Sequence, residues 1–323
     1  MKEIKLINII KNKFSDIKSH DTNINVNIGD DCFCFKFGQE NICITKDMLV
    51  EDTHFKKKWI TAKELGAKAI EVNISDIVAM GTINPKYVFI GLGLPFNISE
   101  LFVVNLYEGI KKSCDKYGII ISGGDTVRSS KIIISVTLVG IGNKNIIKRN
   151  TANVGDIIGV TNNIGDSEAG LKLLYKYGIK HKYNKYEKAL IKKHNNPKAK
   201  FIEARQMSEY VTSLIDTSDC LFLTLKAIIK EYNKGANIYI DKIPISYNLK
   251  KVFSKQKDRL HFTLFGSEDY ELLFTVPMKK AKTLKKIIPQ ISYIGTVNSS
   301  NNIFYFWKNK KYEVKYQGYS HFK

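Results

Sequence analysis

The chain has 323 residues, of which 44% are hydrophobic and 25% are charged, and its formal net charge is +20. This composition is ordinary for a globular protein and excludes a fibre or a largely disordered chain. The longest apolar runs, at 87–96 and 132–142, are shorter than the roughly 18 residues that a membrane span requires. With no secretory pattern near the amino terminus, we predict a cytoplasmic protein without membrane contact, folded as two domains of about 150 residues each.

The excess positive charge is spread along the whole sequence. The lysine runs at 56–58, 279–280 and 285–286 are short, and none is interleaved with aromatic residues. A nucleic-acid-binding protein concentrates its basic residues on one surface. We therefore interpret most lysines as solvated surface, which predicts no nucleic-acid partner and a mild attraction for phosphorylated ligands.

The five cysteines form neither a metal-binding nor a disulfide pattern. They stand at Cys32, Cys34, Cys43, Cys114 and Cys220. No CxxC pair or nearby histidine accompanies them, so structural zinc is disfavoured and reduced thiols are expected.

In chain order, isoleucines among the first 17 residues are spaced for an amphipathic helix. The segments 30–37 and 41–50 then predict two strands joined by a glycine-containing turn. In the second strand, Thr45 and Asp47 share one face, whereas Lys46 points to the other.

Two helices follow in the first half. Thr61 and Glu64 form a capping box for a helix that ends at Gly81. Asp76 lies on or beside the apolar face of this helix, where a bare carboxylate is costly. The second helix is predicted over 99–117.

An apolar run at 119–121 predicts a buried strand that stops at Gly123 and Gly124. The glycines allow close backbone approach, and Asp125 is then presented at the strand end, where a ligand can bind. A further strand is predicted over 132–141.

A polar segment near Arg149 marks the predicted domain boundary. It divides the chain into an amino-terminal domain, 1–148, and a carboxyl-terminal α/β domain, 149–323. In the second domain we predict a loop over 181–196 and a helix over about 200–214.

The familiar nucleotide and protease motifs GxxxxGK[ST], GxGxxG, HExxH and GxSxG are absent. What the sequence offers is carboxylates beside Gly, Ser or Thr at strand ends, loops or a helix face: Asp30, Asp47, Asp76, Asp125, Asp216 and Asp219. Taken singly, each is typical of a turn or a helix cap. If they converge, their repulsion requires divalent cations, and all-oxygen ligands suit Mg²⁺ shared with phosphate oxygens. This reading predicts metal-assisted phosphoryl transfer.

A series of short motifs occurs in a fixed order along almost the whole chain. The motifs are Gly29-Asp30-Asp31-Cys32, Thr45-Lys46-Asp47-Met48-Leu49-Val50 with His54-Phe55, the segment 69–76 with Ala79-Met80-Gly81, Gly123-Gly124-Asp125-Thr126, Gly165-Asp166-Ser167, Asp216-Thr217-Ser218-Asp219, Glu268-Asp269-Tyr270-Glu271-Leu272 and Gly318-Tyr319. Their order and spacing resemble the thiamine-monophosphate kinases, in the superfamily of aminoimidazole ribonucleotide synthetase and selenophosphate synthetase.

The resemblance implies an α/β fold with mixed sheets, in two domains like those of aminoimidazole ribonucleotide synthetase. It also implies that the amino-terminal domain, 1–148, binds ATP and magnesium and mediates dimerisation, in a homodimer whose two amino-terminal sheets form a barrel. The implied reaction transfers the γ-phosphoryl group of ATP to thiamine monophosphate with the help of several Mg²⁺ ions, giving thiamine diphosphate and ADP. No general base is required, because the attacking phosphate, with a second pKa of about 6, is already ionised near neutral pH.

The site residues are implied by the same resemblance. The positions that match the family's magnesium ligands are Asp30, Thr45, Asp47, Asp76, Asp125, Asp216 and Asp219. Those that match ATP contacts are Tyr107, Gly124, Asp125, Arg149 and Ser218. Those that match contacts to thiamine monophosphate are His54, Glu268 and Tyr319.

Three positions depart from the family pattern. Lys46 replaces a metal-binding hydroxyl; it either bends inward and replaces part of a metal's charge, or faces away and leaves a metal with fewer ligands. Cys220 and Ser267 replace glycines, which predicts a tighter backbone approach to the ligand. Because the carboxylates are intact, we expect reduced activity at most.

Two alternatives stay open from the sequence. The nearest is another ATP-dependent synthetase of the same superfamily, which is disfavoured by the lack of an amino-terminal Cys loop before Gly29 and by the match at 268–270. The other, of a different class, is a basic non-enzymatic nucleic-acid-binding protein, which the dispersed charge disfavours.

Overall fold

Two β-sheets, one from each half of the chain, organise the computed structural model. The structure describes Leu6, Ile9, Ile10, Asn12, Lys13 and residues 22–229 and 233–315. Most of the predicted amino-terminal helix therefore lies outside the described residues, as does Tyr319.

The first sheet is built from residues 24–142. Its strands are β1 (Ile24–Val26), β2 (Phe33–Phe37), β3 (Glu40–Val50), β4 (Asn84–Leu94), β5 (Ile120–Arg128) and β6 (Ile133–Gly142), in the spatial order β1-β2-β3-β6-β4-β5. The β4–β5 pair is parallel and the other pairs are antiparallel. The predicted hairpin is confirmed as β2 and β3, joined at Gly38 with φ +60°.

Two helices, α1 (Ala62–Ala79) and α2 (Glu100–Tyr117), are stacked on one face of this sheet. The capping box of Thr61 and Glu64 is confirmed at the start of α1. A Cβ atom on Gly109 would lie 1.9 Å from the Lys63 carbonyl oxygen, so glycine is required where α2 approaches α1. The packing holds α1 directly over the sheet and fixes the residues at its carboxyl end.

The opposite face of the first sheet is open in the single chain. Side chains along β6 alternate between buried and half-buried, and exposed Tyr87 and Phe89 lie on β4. Lys46 extends across this open face and donates from Nζ to Ser135 Oγ at 2.9 Å and to Thr137 Oγ1 at 3.3 Å.

Strand β5 corrects one prediction. The apolar run does not stop at Gly123, because the strand continues through Gly124 and Asp125 to Arg128. It is also exposed along all nine residues rather than buried. The reason is its position at the edge of the sheet, where it pairs on one side with β4 only.

The second sheet is built from residues 157–312. Its strands are β7 (Ile157–Val160), β8 (Ser213–Asp216), β9 (Gly235–Tyr239), β10 (Leu272–Val276), β11 (Ser292–Asn298), β12 (Ile303–Trp307) and β13 (Lys310–Tyr312), in the order β13-β12-β9-β11-β7-β10-β8. The helices of this half are α3 (Asp166–Tyr177), α4 (Lys185–Asn195), α5 (Phe201–Met207), α6 (Leu221–Ile229), α7 (Tyr247–Val252), α8 (Gln256–Phe265) and α9 (Met278–Ile287), with a 3₁₀ turn at Ile240–Lys242.

Two predictions in the second half are wrong. The segment 181–196 is mostly the helix α4, because Asn184 and Glu187 form a capping box and Leu190 is buried against α3. The predicted helix over 200–214 ends at Met207, and the apolar residues after it form β8 in the second sheet. Tertiary pairing with β10 overrides the helical spacing there.

The two halves share a continuous apolar core. One cluster contains Ile70 and Ile74 of α1 together with Leu272 and Phe274 of β10. Helix α1 is thus packed between the first sheet and the second half of the chain. In the described residues, no helix is long and apolar enough to cross a bilayer.

Candidate active site at the junction of the two halves

Helix α1 joins carboxylates from both halves of the chain. Thr45 on β3 donates its Oγ1 hydrogen to Asp76 Oδ2 at 2.5 Å. The preceding residue on the helix, Ser75, donates from Oγ to Asp216 Oδ2 at 2.7 Å. Asp76 and Asp216, which are 140 positions apart in the sequence, therefore meet at one end of α1.

The loop before β2 adds two more aspartates. Asp30 accepts hydrogen bonds from the backbone N–H of Asp31 at 3.0 Å and of Arg149 at 3.2 Å. Asp31 lies close enough to Asp216 for each carboxylate to oppose ionisation of the other. Its Oδ2 atom is buried and has no hydrogen-bond partner among the described residues. Such an orphaned oxygen is unusual in a folded protein and is typical of a position where an ion or a ligand binds.

Burial and mutual repulsion hold these carboxyl groups partly protonated. The pKa values of Asp31 and Asp76 are raised well above their usual value, first by burial and then by neighbouring aspartates. Burial and then Glu268 raise the pKa of Asp47. Burial raises the pKa of Asp216 to about 6, although hydrogen bonds from Ser75 and Ser218 lower it. Ionisation of the whole group requires added positive charge.

The chain supplies little of that charge itself. None of the ion pairs in the described ranges involves Asp47, Asp76 or Asp216. Nor do any three His, Cys, Asp or Glu side chains in those ranges form a ready metal site. The arrangement still suits Mg²⁺, which is usually held by one or two carboxylates, waters and the phosphates of a substrate. The donors here are carboxylates and the Thr45 hydroxyl, and the orphaned Asp31 oxygen is of the same type.

Ser218 and Asp219 follow β8, two and three residues after Asp216. Ser218 donates from Oγ to Asp216 Oδ1 at 3.0 Å, and its carbonyl oxygen accepts from the Glu268 N–H at 2.8 Å. The side chains of Ser218 and Asp219 are both exposed. They therefore lie where a ligand over the Asp216 carboxylate can reach them.

Glu268 lies on the same side of the junction. Its backbone has φ +64°, a strained conformation that is typical of functional sites in residues other than glycine. Burial acts to raise its pKa, but Lys68 and His194 hold the pKa below the usual value. Glu268 is thus an ionised carboxylate close enough to Asp47 to raise the pKa of that residue.

His54 is half-buried just after β3. Its Nδ1 atom accepts a hydrogen bond from the Val50 N–H at 3.1 Å. Neutral His54 must therefore carry its proton on Nε2, and that atom is the one able to donate to an anionic group.

Asp125 is not brought to this cluster. It pairs with Gly91, Gly91 with Ser135, and Ser135 with Met48. Because paired residues point to the same face of a sheet, Asp125 lies on the open face, opposite to Asp47. It borders a shallow cavity of about 330 Å³ there.

Tyr107 and Gly124 also lie apart from the carboxylates. Tyr107 packs from α2 against the core, and no described hydrogen bond joins its hydroxyl to the aspartates. A Cβ atom on Gly124 would lie 1.9 Å from the Ile90 carbonyl oxygen, so strand pairing alone explains this glycine.

The structure resolves the two readings of Lys46. The strand alternates normally, so Lys46 faces away from Thr45 and Asp47. Cys220 is buried in the core of the second half, where burial raises the pKa of its thiol to about 11. Its side chain therefore does not extend toward the carboxylates, which weakens the prediction that it tightens the approach to a ligand.

Sequence reasoning missed four residues of the junction: Asp31, Ser75, Lys68 and His194. Two of them carried a readable signal, because Asp31 duplicates Asp30 and Lys68 lies two helical turns before Asp76, on the apolar side of α1. His194 had none, since its helix was predicted as a loop.

Comparison with known proteins first defines the class. A family profile described as AIR synthase related protein, N-terminal domain, matches residues 29–142. The hydrogenase maturation protein HypE in complex with ATP shares the fold, with a TM-score of 0.68 at 15% identity over 86% of this chain and 85% of its own. The chain thus has the mixed α/β fold of AIR synthase-related proteins, as predicted.

Closer relatives then define the family. Thiamine-monophosphate kinase of Aquifex aeolicus (strain VF5) is 34% identical over 296 residues, 91% of this chain and 92% of its own length. That of Buchnera aphidicola subsp. Acyrthosiphon pisum (strain APS) is 36% identical over 321 residues, 97% of this chain and 98% of its own. The solved structure "AaThiL complexed with AMPPCP and TMP" superimposes with a TM-score of 0.85 at 32% identity, covering 99% of this chain and 97% of its own. This chain belongs to the thiamine-monophosphate kinase family, which confirms the family predicted from the motifs.

Proposed function

We propose that this chain transfers the γ-phosphoryl group of ATP to thiamine monophosphate and releases thiamine diphosphate and ADP. The observation that carries the proposal is the cluster of Asp31, Asp47, Asp76 and Asp216, drawn from both halves and without a lysine or arginine ion pair for the last three. Such a cluster binds cations together with an anionic ligand. The relative solved with AMPPCP, an ATP analogue, and TMP supports the choice of the two substrates.

Mg²⁺ is the ion that the donors suit. The residues that would hold it are Asp30, Thr45, Asp47, Asp76, Asp216 and Asp219. When bound, it neutralises the carboxylates and the transferring phosphoryl group. The number of ions is a further proposal: we expect more than one, because a single Mg²⁺ is usually held by one or two carboxylates and this set contains five.

The chain's own residues position the reactants. Arg149, next to Asp30, is always charged and its forked guanidinium is suited to a phosphate group of ATP. Exposed Ser218 is a second candidate ATP contact. His54 Nε2–H donates to the phosphate of thiamine monophosphate, and the ionised Glu268 receives the acceptor's positively charged part. The attacking phosphate oxygen is already ionised, so no residue has to remove a proton.

A homodimer explains the residues that lie apart from the cluster. The open face of the first sheet and the exposed edge strand β5 carry apolar side chains, among them Phe89, Ile121 and Val127. Such a surface is typical of an interface. Pairing of two amino-terminal sheets into a barrel would cover it, and would enclose Asp125 and Gly124 at the interface. Tyr107 stays a candidate ATP contact.

We also propose that the chain divides into the domains 1–148 and 149–323 and acts in the cytoplasm. The two separate sheets support this boundary, although α1 packs against both halves. The five described cysteines are all free and buried, which agrees with a reducing compartment.

The decisive experiment incubates the purified chain with ATP, thiamine monophosphate and Mg²⁺ and measures thiamine diphosphate by chromatography. Formation of one ADP per thiamine diphosphate is expected, with no product after chelation of Mg²⁺ by EDTA. ATP hydrolysis without thiamine diphosphate would instead favour another ATP-dependent activity of the AIR synthase-related class.

A further inference from the structure

Lys68 is the one lysine that is buried in the described part of the chain. It lies on α1 with 1% of its surface exposed. A buried ammonium group is costly unless a counter-charge accompanies it. Its Nζ atom lies 3.2 Å from Oε2 of Glu268, so a helix of the first half reaches a carboxylate of the second.

His194 on α4 contacts the same oxygen from another direction. Its Nδ1 atom lies 3.3 Å from Glu268 Oε2 and 3.2 Å from Ser167 Oγ. Burial and then Lys68 lower the pKa of His194 to about 3. The imidazole is therefore neutral, and a proton on Nδ1 is donated to the ionised carboxylate.

The two other buried glutamates that pair with lysines have both carboxylate oxygens occupied. Glu71 receives Lys198 on Oε1 and the N–H of Ala199 on Oε2. Glu271 receives Lys193 on Oε1 and Thr161 on Oε2. These pairs leave no oxygen for a ligand, which is the arrangement of a structural ion pair.

Glu268 differs in this respect. Lys68 and His194 both contact Oε2, and no described residue donates a hydrogen bond to Oε1. The side chain keeps 21% of its surface exposed, and the backbone is fixed by the hydrogen bond from its N–H to the Ser218 carbonyl at 2.8 Å. The geometry thus holds Oε2 and leaves Oε1 without a donor among the described residues.

We propose that Lys68 and His194 are positioning residues that hold Glu268 with Oε1 directed at the phosphoryl acceptor. Oε1 receives the positively charged or N–H-bearing ring portion of thiamine monophosphate, and the phosphate end is left to the metal-binding aspartates. Neither positioning residue contacts the substrate. The inference rests on the proposed function, because it assigns a role within the same reaction.

The test compares Lys68→Met with Lys68→Arg and with a matched control, Lys200→Met. Lys200 is also a mostly buried lysine paired with a glutamate, at 3.0 Å from Glu271 Oε1. For Lys68→Met, loss of a charged hydrogen bond to Glu268 predicts an increase of about tenfold or more in KM for thiamine monophosphate. KM for ATP should change less than about twofold, and Lys68→Arg should recover most of the loss. Lys200→Met should lower the melting temperature without changing the ratio of the two KM values.

A double-mutant cycle distinguishes positioning from general damage. If Lys68 acts through Glu268, Lys68→Met should add little to the KM increase of Glu268→Gln. If Lys68→Met does not fold, His194→Gln, which keeps a hydrogen-bond donor, is measured in its place. The affinities for thiamine monophosphate, measured by calorimetry without ATP, should rank the variants in the same order as their KM values.

Equal increases in both KM values, or additive effects in the double-mutant cycle, would overturn the inference. The proposed function would still stand in that case, provided that the wild-type chain phosphorylates thiamine monophosphate. If the wild-type chain neither binds nor phosphorylates thiamine monophosphate, the proposed function fails, and this inference fails with it.

Discussion

Two groups of carboxylates differ in how their charge is balanced. Glu71 and Glu271 each have lysine partners and occupied oxygens. Asp76 accepts from the Thr45 hydroxyl, and Asp216 accepts from the Ser75 and Ser218 hydroxyls and the Ser218 N–H. None of the ion pairs of the described residues involves either of them or Asp47. Glu71 connects the two halves permanently through Lys198. Glu271 holds Lys193 and Lys200 within the second half. The aspartates, by contrast, are balanced only when cations arrive. Stability and activity are therefore assigned to different carboxylates on the same helix and its neighbours.

The sharpest test of this difference is Asp76→Asn. We expect turnover to fall by at least about a hundredfold, since an interaction that stabilises transition-state charge is lost. The amide still accepts the Thr45 hydrogen bond, and removal of a repelled buried charge should leave the free energy of unfolding without Mg²⁺ unchanged or raised. Steady-state kinetics and urea unfolding measure the two effects. Near-normal kinetics would refute the assignment of the metal site.

The opposite behaviour is expected for Glu271→Gln. Removing one partner of a buried ion pair leaves Lys193 and Lys200 without the carboxylate that they share, which predicts a loss of about 3 kcal/mol in the free energy of unfolding. KM values of the protein that remains folded should stay within about twofold of wild type. A variant that kept full stability but lost activity would mean that Glu271 belongs with the aspartates.

The pH dependence of stability should separate the groups as well. Asp47, Asp76 and Asp216 have raised pKa values in the folded chain, so the folded state retains protons that the unfolded state loses above about pH 4. Without Mg²⁺, the free energy of unfolding should therefore fall as pH rises through the folded pKa values, which for Asp216 is about 6. The slope is at most about 1.4 kcal/mol per pH unit for each group.

Urea titrations at pH 4.5 to 7.5, with and without Mg²⁺ and ADP, measure that slope. The bound ions should flatten it, and Asp216→Asn should flatten it in their absence. An unchanged slope in both experiments would show that the aspartates are already balanced by the chain.

How far the sequence predicts this site depends on how local each feature is. The hairpin of β2 and β3, the capping box at Thr61 and the alternation of Thr45 and Lys46 are set within a few residues, and all were predicted correctly. The face on which Asp125 lies depends on its register with β4 and on a bulge in β5, where Ser122 is the extra residue between the pairs Val88–Ile121 and Phe89–Gly123. Gly123 is typical of such a bulge, but the register with β4 is not encoded near Asp125.

The same reasoning explains the missed partners of Glu268. Lys68 and His194 come from helices 126 residues apart in the sequence, and α4 itself was predicted as a loop. A pairing of this kind is created by the packing of two halves and not by a motif. By contrast, the aspartates stand in short motifs, so the family resemblance implied that they form one site, although their spacing in the sequence does not show it.

The smallest effect is expected at Lys46, the departure that lies nearest to the aspartates in sequence. Its ammonium group faces the open side of the sheet and contacts only neutral hydroxyls, Ser135 and Thr137, among the described residues. Lys46→Thr should change the free energy of unfolding by no more than about 0.5 kcal/mol, as for most surface substitutions. Turnover should change by less than about threefold, because an exposed polar contact of this kind is weak. Measuring turnover across a Mg²⁺ titration checks this, with Lys36→Thr on β2 as an exposed control. A tenfold gain at low Mg²⁺ would show instead that the open face reaches the metal site in the assembled enzyme, and that the two faces of the sheet act together.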